Sequence, residues 1–278
     1  MKIGMVLILS YMLTETDSAF VVKGKFRTAE LKSKFYKDKF NKCVLFPLAL
    51  MVFAFGIGVI VQKDLGSSLI LAAICFICFM STPRDYYKKY KKLVWIALAV
   101  AVIILGFLIT AVLQGYQLQR IDSWLKPLKI ENIYDSSWQL VNSLIAFTDG
   151  GIFGLGLGNS IQKYDYIPEA HNDFIIIYEE LGIFGLVLMI IPTAIIIFRL
   201  LKYADQIQNN KSRVILIGIA SYFMLHLFVN LGGVSGLIPM TGVPLLLVSS
   251  GGSSTIAALI AIGIAQAIIS KFNKEQLE

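Results

Sequence analysis

The stretch "IPEAHNDFIIIYEELGIFG", residues 167–185, sets Glu169, His171 and Asp173 before an apolar run and Glu179 and Glu180 within it. Carboxylates and imidazoles are the side chains that most often move protons in catalysis. Pro168, Glu169, Asn172 and Asp173 together read as a helix start, with Asn172 the candidate N-cap. Asp173 and Glu180 are separated by close to two turns, so they share one face about 10 Å apart along the axis, while Glu179 points elsewhere. Two readings of Asp173 stand. It complements the positive end of a helix dipole, or it marks the rim of a polar cavity with Glu180 deeper inside.

Other polar features sit at or within apolar runs. Asp64, in "VQKDLGSSLI", begins a helix and suits either an N-terminal acidic role or a polar site. Lys2 lies one residue into the first apolar run. His226 and Asn230 are four apart on one helix face, which fits an interhelical hydrogen bond or a proton relay. The segment "DGGIFGLGLGNS" has Gly154, Gly156 and Gly158 at alternate positions, but no strand precedes it, so it is not a dinucleotide fingerprint. It reads as a tight, backbone-exposed loop able to approach a phosphate or a sugar. Cys75 and Cys78 have Cys-x-x-Cys spacing but lie in an apolar run without polar partners; with Cys43 they read as packed thiols rather than a metal or redox pair.

The elements that must position these residues are set by composition. Of 278 residues 56% are hydrophobic and 15% charged, with mean hydropathy +0.72. Soluble domains carry about 25% charged residues, so an ordinary globular protein is excluded. Hydropathy divides the chain into seven apolar spans: Ile3–Leu13, Val44–Val61, Leu65–Met80, Leu93–Leu113, Phe174–Phe198, Val214–Val229 and a last one ending near Ile269. The fold class is all-α, a polytopic integral membrane helical bundle.

The formal charge of +7 raises nucleic acid as a partner, but its distribution excludes that reading. Lys23, Lys25, Arg27, Lys32, Lys34, Lys37, Lys39 and Lys42 follow the first span, whereas the next connection has only Lys63. Arg84, Lys88, Lys89, Lys91 and Lys92 then precede a long segment, residues 114–173, with four basic and seven acidic residues. Arg199, Lys202, Lys211 and Arg213 flank the following connection; the turn 237–242 has none, and the tail has Lys271 and Lys274. Basic-rich and basic-poor connections alternate as the positive-inside rule requires. Residues 114–173 are therefore expected outside the cytoplasm as a large loop, kept at the interface by Trp124, Trp138 and several tyrosines. Met1 then falls outside at the mouth of a short span, and the chain is expected to be N-terminally incomplete.

Three segments in order carry a resemblance. "GLGLGNSIQK", "IPEAHNDF" and "EELG" resemble the outer-loop signature of the SEDS family (shape, elongation, division and sporulation), with Gly158, Asn159, Gln162, Lys163, Pro168, Glu169, His171 and Asp173 matching. "GLIPMTGVPLLLVSSGGSS", "QKDLGSS" and "SWQLVNSLIAFTDGGIFG" are similar to further family segments, and the match runs essentially the whole chain. Lys63 stands where the family usually has Pro, Asn172 where it has Thr, and Ser250 where it has Tyr.

The resemblance implies a single membrane domain over 1–278, with about seven of an expected ten helices and the first three absent. It implies a peptidoglycan glycosyltransferase that polymerises lipid II, a disaccharide-pentapeptide on undecaprenyl diphosphate, at the outer face of the bacterial cytoplasmic membrane. Asp173 maps to the family's essential aspartate and is expected as general base; Asp64 and Lys2 map to two further family positions. The departing diphosphate calls for fixed cations or a divalent metal, Mg or Mn. Lys2 is the candidate, with Asp64 assisting a cation or a hydrogen-bond network, and Arg120 and Lys163 are weaker outer-face candidates. Implied partners are a class B penicillin-binding protein transpeptidase and divisome or elongasome proteins, with the division role weakly favoured and the septum as its place. The rivals are a lipid II flippase and a non-catalytic scaffold for the transpeptidase; the absence of a visible repeat and the carboxylates at one edge favour an enzyme over a transporter.

Overall fold

The computed structural model describes residues 1–14, 40–62, 64–83, 87, 90–92, 95, 122–129, 137–165, 173–249 and 251–278. Every regular element among them is helical: α1 (Lys2–Thr14), α2 (Phe46–Gly56), α3 (Leu65–Ser81), α4 (Trp138–Gly150), α5 (Gln162–Asp165), α6 (Asp173–Gln206), α7 (Asn210–Val234) and α8 (Gly252–Glu275). Among the described residues, Ile175–Gln206, Asn210–Val234 and Gly252–Glu275 are long and apolar enough to cross a membrane, and Lys2–Thr14, Phe46–Val61 and Gly66–Ser81 are shorter apolar helices. The membrane-protein reading of the composition therefore holds. The expected span Leu93–Leu113 lies outside the described residues. Short π-helical turns, Asn41–Leu45 and Ile57–Val61, flank α2.

The chain divides into two compact units, one of Met1–Tyr87, Ile197–Tyr222 and Ile260–Glu278, the other of Lys88–Ile196 and Phe223–Leu259. In the first, α1 buries Ile3, Val6, Leu9 and Leu13, an apolar stripe at helical spacing. It meets α3 and α7 so closely that a Cβ on Gly218 would lie 2.5 Å from a methyl of Val6 and 2.9 Å from the Cys78 sulfur. Cys75 and Cys78 are free and buried in α3, the packed state expected of them.

In the second unit, Ala146, Ile175, Met189, Val234 and Leu245 form one buried cluster. Phe147 of α4 meets Tyr178 of α6 edge-on at 4.8 Å between ring centroids. The decisive feature is a break in α6. Gly182 has φ 60° and ψ −143°, outside the helical region, so residues 173–181 and 183–206 are two helical pieces in series.

Candidate functional site

A break inside a helix strands carbonyls and amides that must find partners elsewhere. Here the Gly-rich loop supplies them. The Leu155 N–H donates to the Glu179 carbonyl at 2.8 Å and the Gly156 N–H to the Glu180 carbonyl at 3.0 Å, while the Ile183 N–H donates to the Ile152 carbonyl at 3.0 Å. The joint is tight on both sides. A Cβ on Gly182 would lie 2.3 Å from the Ile152 carbonyl oxygen, and one on Gly154 would fall on the Glu180 carbonyl group. Gly154 has φ 77°, which also favours glycine.

This takes part of the loop's backbone out of the contact with a phosphate or a sugar expected of it. The amides of Leu155 and Gly156 are occupied by α6, and that of Asn159 donates to the Gly156 carbonyl at 3.2 Å. The exposed Asn159 side chain turns back to the Leu155 carbonyl at 3.1 Å.

A carboxylate locks the joint. Glu179 is fully buried, so its charge needs partners. Its side chain accepts from the Ser160 hydroxyl and from the Ile161 N–H at 3.1 Å. Ser160 in turn accepts from the Lys163 N–H at 3.1 Å, tying the start of α5 into the same network. On the neighbouring position, Glu180 is nearly buried and Lys163 brings its ammonium to 3.8 Å from Oε1. Gln162 is buried, and its side-chain carbonyl oxygen has no hydrogen-bond partner among the described residues. Sequence reasoning assigned no role to Glu179, Ser160 or Gly182, although all three stand in the motifs "GLGLGNSIQK" and "EELG". A carboxylate three residues before a glycine inside an apolar run, with a serine in a Gly-rich loop upstream, was the available signal.

Asp173 opens α6, as its position after Asn172 leads one to expect. Its side chain lies outside the described part of the structure, as do Glu169, His171 and Arg120. In the same unit, Trp124 donates its indole N–H to the Gly236 carbonyl at 2.7 Å, anchoring the segment that follows Arg120. His226 and Asn230 both bond to the chain that follows α7. His226 Nδ1 lies 3.1 Å from the Pro244 carbonyl oxygen, and Asn230 donates to the Val243 carbonyl at 2.8 Å. Both side chains serve the irregular segment after α7, where the backbone around Pro244 lacks helical partners.

In the first unit, Asp64 is the N-cap of α3: its side chain accepts from the Ser67 N–H at 2.9 Å. That is the structural role weighed for it. It also attracts Lys2, so two sequence-predicted residues 62 positions apart in the chain are electrostatic neighbours. Among the described residues no group of three or more His, Cys, Asp or Glu side chains is arranged to hold a metal ion.

The family model for FtsW, RodA and SpoVE, described as a cell cycle protein, matches residues 1–275. Over 248 residues the chain is 37% identical to a probable peptidoglycan glycosyltransferase FtsW of Bacillus subtilis (strain 168), covering 87% of this chain and 60% of that protein. It is 34% identical over 230 residues to the like-named protein of Coxiella burnetii, covering 80% and 59%. Stage V sporulation protein E of Bacillus subtilis is 31% identical over 240 residues, covering 84% and 63%. The chain thus spans about three fifths of the length of these relatives. Among solved structures, a chain from a peptidoglycan synthase complex that coordinates polymerization and crosslinking has TM-score 0.65 at 23% identity, covering 95% of this chain and 66% of that one. The rod-shape-determining protein RodA of Thermus thermophilus has TM-score 0.54 at 22% identity, covering 95% and 62%. These two likenesses are of fold.

Proposed function

The chain belongs to the FtsW/RodA/SpoVE family of cell cycle proteins, and from that membership we propose that it takes part in peptidoglycan glycosyl transfer, polymerising lipid II into glycan strands. The observation that carries this reading is the 37% identity over 248 residues to a protein named a probable peptidoglycan glycosyltransferase. In the reaction a sugar hydroxyl attacks an anomeric carbon. The new glycosidic C–O bond forms as the bond to the lipid diphosphate breaks, and the hydroxyl proton passes to a carboxylate.

Asp173 is that carboxylate in our reading, carried at the first position of α6 on the half-helix before the Gly182 break. Lys2, with its neighbour Asp64, is assigned to the charge of the departing diphosphate.

We place the reaction at the outer face of the bacterial cytoplasmic membrane. A class B penicillin-binding protein is the proposed partner, a reading supported by the fold shared with a chain of a synthase complex that joins polymerization to crosslinking. The division role and a septal location are favoured over elongation because the relatives at 37% and 34% identity are both named FtsW.

Asp173→Asn tests the assignment. General-base removal costs about 10²–10⁴-fold in rate. The purified variant should keep its thermal unfolding midpoint and lose glycan polymerisation on lipid II by that factor; retained polymerisation removes Asp173 from the mechanism.

A further inference from the structure

We propose that a single water molecule is held between α4, the last turn of α7 and the chain that follows it, bonded to the Asn230 side-chain oxygen and linking it to Gln139 and Thr241. The site lies within the second unit and uses none of the residues assigned to glycosyl transfer.

The first observation is an orphaned acceptor. Asn230 is 5% exposed, and its side-chain amide nitrogen donates to the Val243 carbonyl at 2.8 Å. That carbonyl fixes which end of the amide is which, since an oxygen in the same place would face an oxygen. The other end, Oδ1, is buried and has no hydrogen-bond partner among the described residues. A buried amide oxygen left dry is costly, and native proteins pair such atoms with protein or with ordered water.

The second is room of the right size. Asn230 lines a cavity that leaves the centre of a water-sized sphere about 10 Å³ in which to move. One buried water needs about 10–15 Å³ of such room and two to four polar partners. Gln139, in the first turn of α4, and Thr241 are the other polar side chains of the wall. The water donates to Asn230 Oδ1 and accepts from the Thr241 hydroxyl or the Gln139 amide, both of which carry donors.

The third is the backbone beside it. Residues 239–245 have no regular structure, and Met240, Thr241 and Val243 of that stretch form part of the wall. Irregular backbone in a membrane-spanning chain is tolerated where protein covers it or where it borders a water-filled cavity. Asn230 thus holds this segment twice, directly at the Val243 carbonyl and through the water.

Gly233 offers the test. It lines the same cavity, three residues from Asn230 and so on the same face of α7. A Cβ there would lie 3.6 Å from its nearest neighbour, the Met240 Cα, which is ordinary contact. Gly233→Ala therefore fits the protein but takes the space of the water. Gly263→Ala in α8 sets the scale, because nothing lies within 4 Å of its new Cβ. That control should raise the thermal unfolding midpoint by about 2–4 °C through helix propensity alone. Gly233→Ala should instead lower the midpoint by about 2–4 °C, because it strands Asn230 Oδ1. Gly233→Ser brings a hydroxyl that can donate to Oδ1 in the water's stead, so it should be more stable than the alanine variant, against the order of helix propensity. A Gly233→Ala midpoint at or above that of the parent chain overturns the proposal, as does a serine variant no more stable than the alanine one. If neither variant folds, a crystal structure of the parent chain that shows buried waters decides. Density within about 3.2 Å of Asn230 Oδ1 inside the cavity supports the proposal, and a cavity without density overturns it.

Discussion

Ser160→Ala removes two hydrogen bonds at one point, because the Ser160 hydroxyl donates to the buried Glu179 carboxylate and accepts from the Lys163 N–H. A hydrogen bond to a charged group contributes about 1.5–3 kcal/mol. Loss of a capping interaction such as the one to Lys163 costs about 1 kcal/mol. The sum, about 3 kcal/mol, falls on opening of the loop from α6 rather than on the whole chain, since both bonds lie within the joint. At about 1.4 kcal/mol per tenfold, the open population rises by about two orders of magnitude. Hydrogen exchange reads this directly at the Leu155 and Gly156 amides, whose acceptors are the Glu179 and Glu180 carbonyls. Their exchange in detergent micelles should accelerate about 100-fold, while amides in the middle of α8 keep their rates. Exchange within about threefold of the parent chain would refute the idea that the Ser160–Glu179 pair locks the joint. Equal acceleration in α8 would show a global effect and refute it as well.

Three further substitutions probe other parts of the fold. Gly182→Ala forces a side chain into φ 60°, ψ −143° and against the Ile152 carbonyl, so it should lower stability by about 3 kcal/mol or more and depress the thermal unfolding midpoint; an unchanged midpoint would remove the close approach from the explanation of the break. Asp64→Asn keeps an acceptor for the Ser67 N–H, whereas Asp64→Ala loses the cap, so thermal denaturation should separate the two by about 1 kcal/mol with the alanine variant less stable. Asn230→Leu leaves the Val243 carbonyl without its donor and should cost about 1–3 kcal/mol in the same measurement; equal stability would show that the carbonyl finds another partner.

The helices were legible because their cause is local. A run such as "FIIIYEELGIFGLVLMIIPTAIIIF" has nowhere to go but a bilayer or a core, and its length settles which. The same holds for the N-cap at Asp64, for the packed thiols of α3 and for the helix start at Asp173, each decided by a residue and its immediate neighbours. The family was legible from ordered motifs along the whole chain, without any knowledge of why those residues recur.

What tertiary structure decided is where polar groups find partners. Read alone, "GLGLGNS" is a loop with free amides and "EELG" an uninterrupted piece of helix. Brought together, the loop's amides meet the carbonyls left by a break at Gly182, and Glu179, which helical periodicity turned away from the site, becomes its buried anchor. His226 and Asn230 likewise hold the chain at Pro244 and Val243, partners that helical spacing does not foretell. Apolar burial follows from each residue's own transfer free energy and so can be read position by position. A hydrogen bond needs a donor and an acceptor within about 3 Å, and sequence distance says nothing about that separation until the chain has folded.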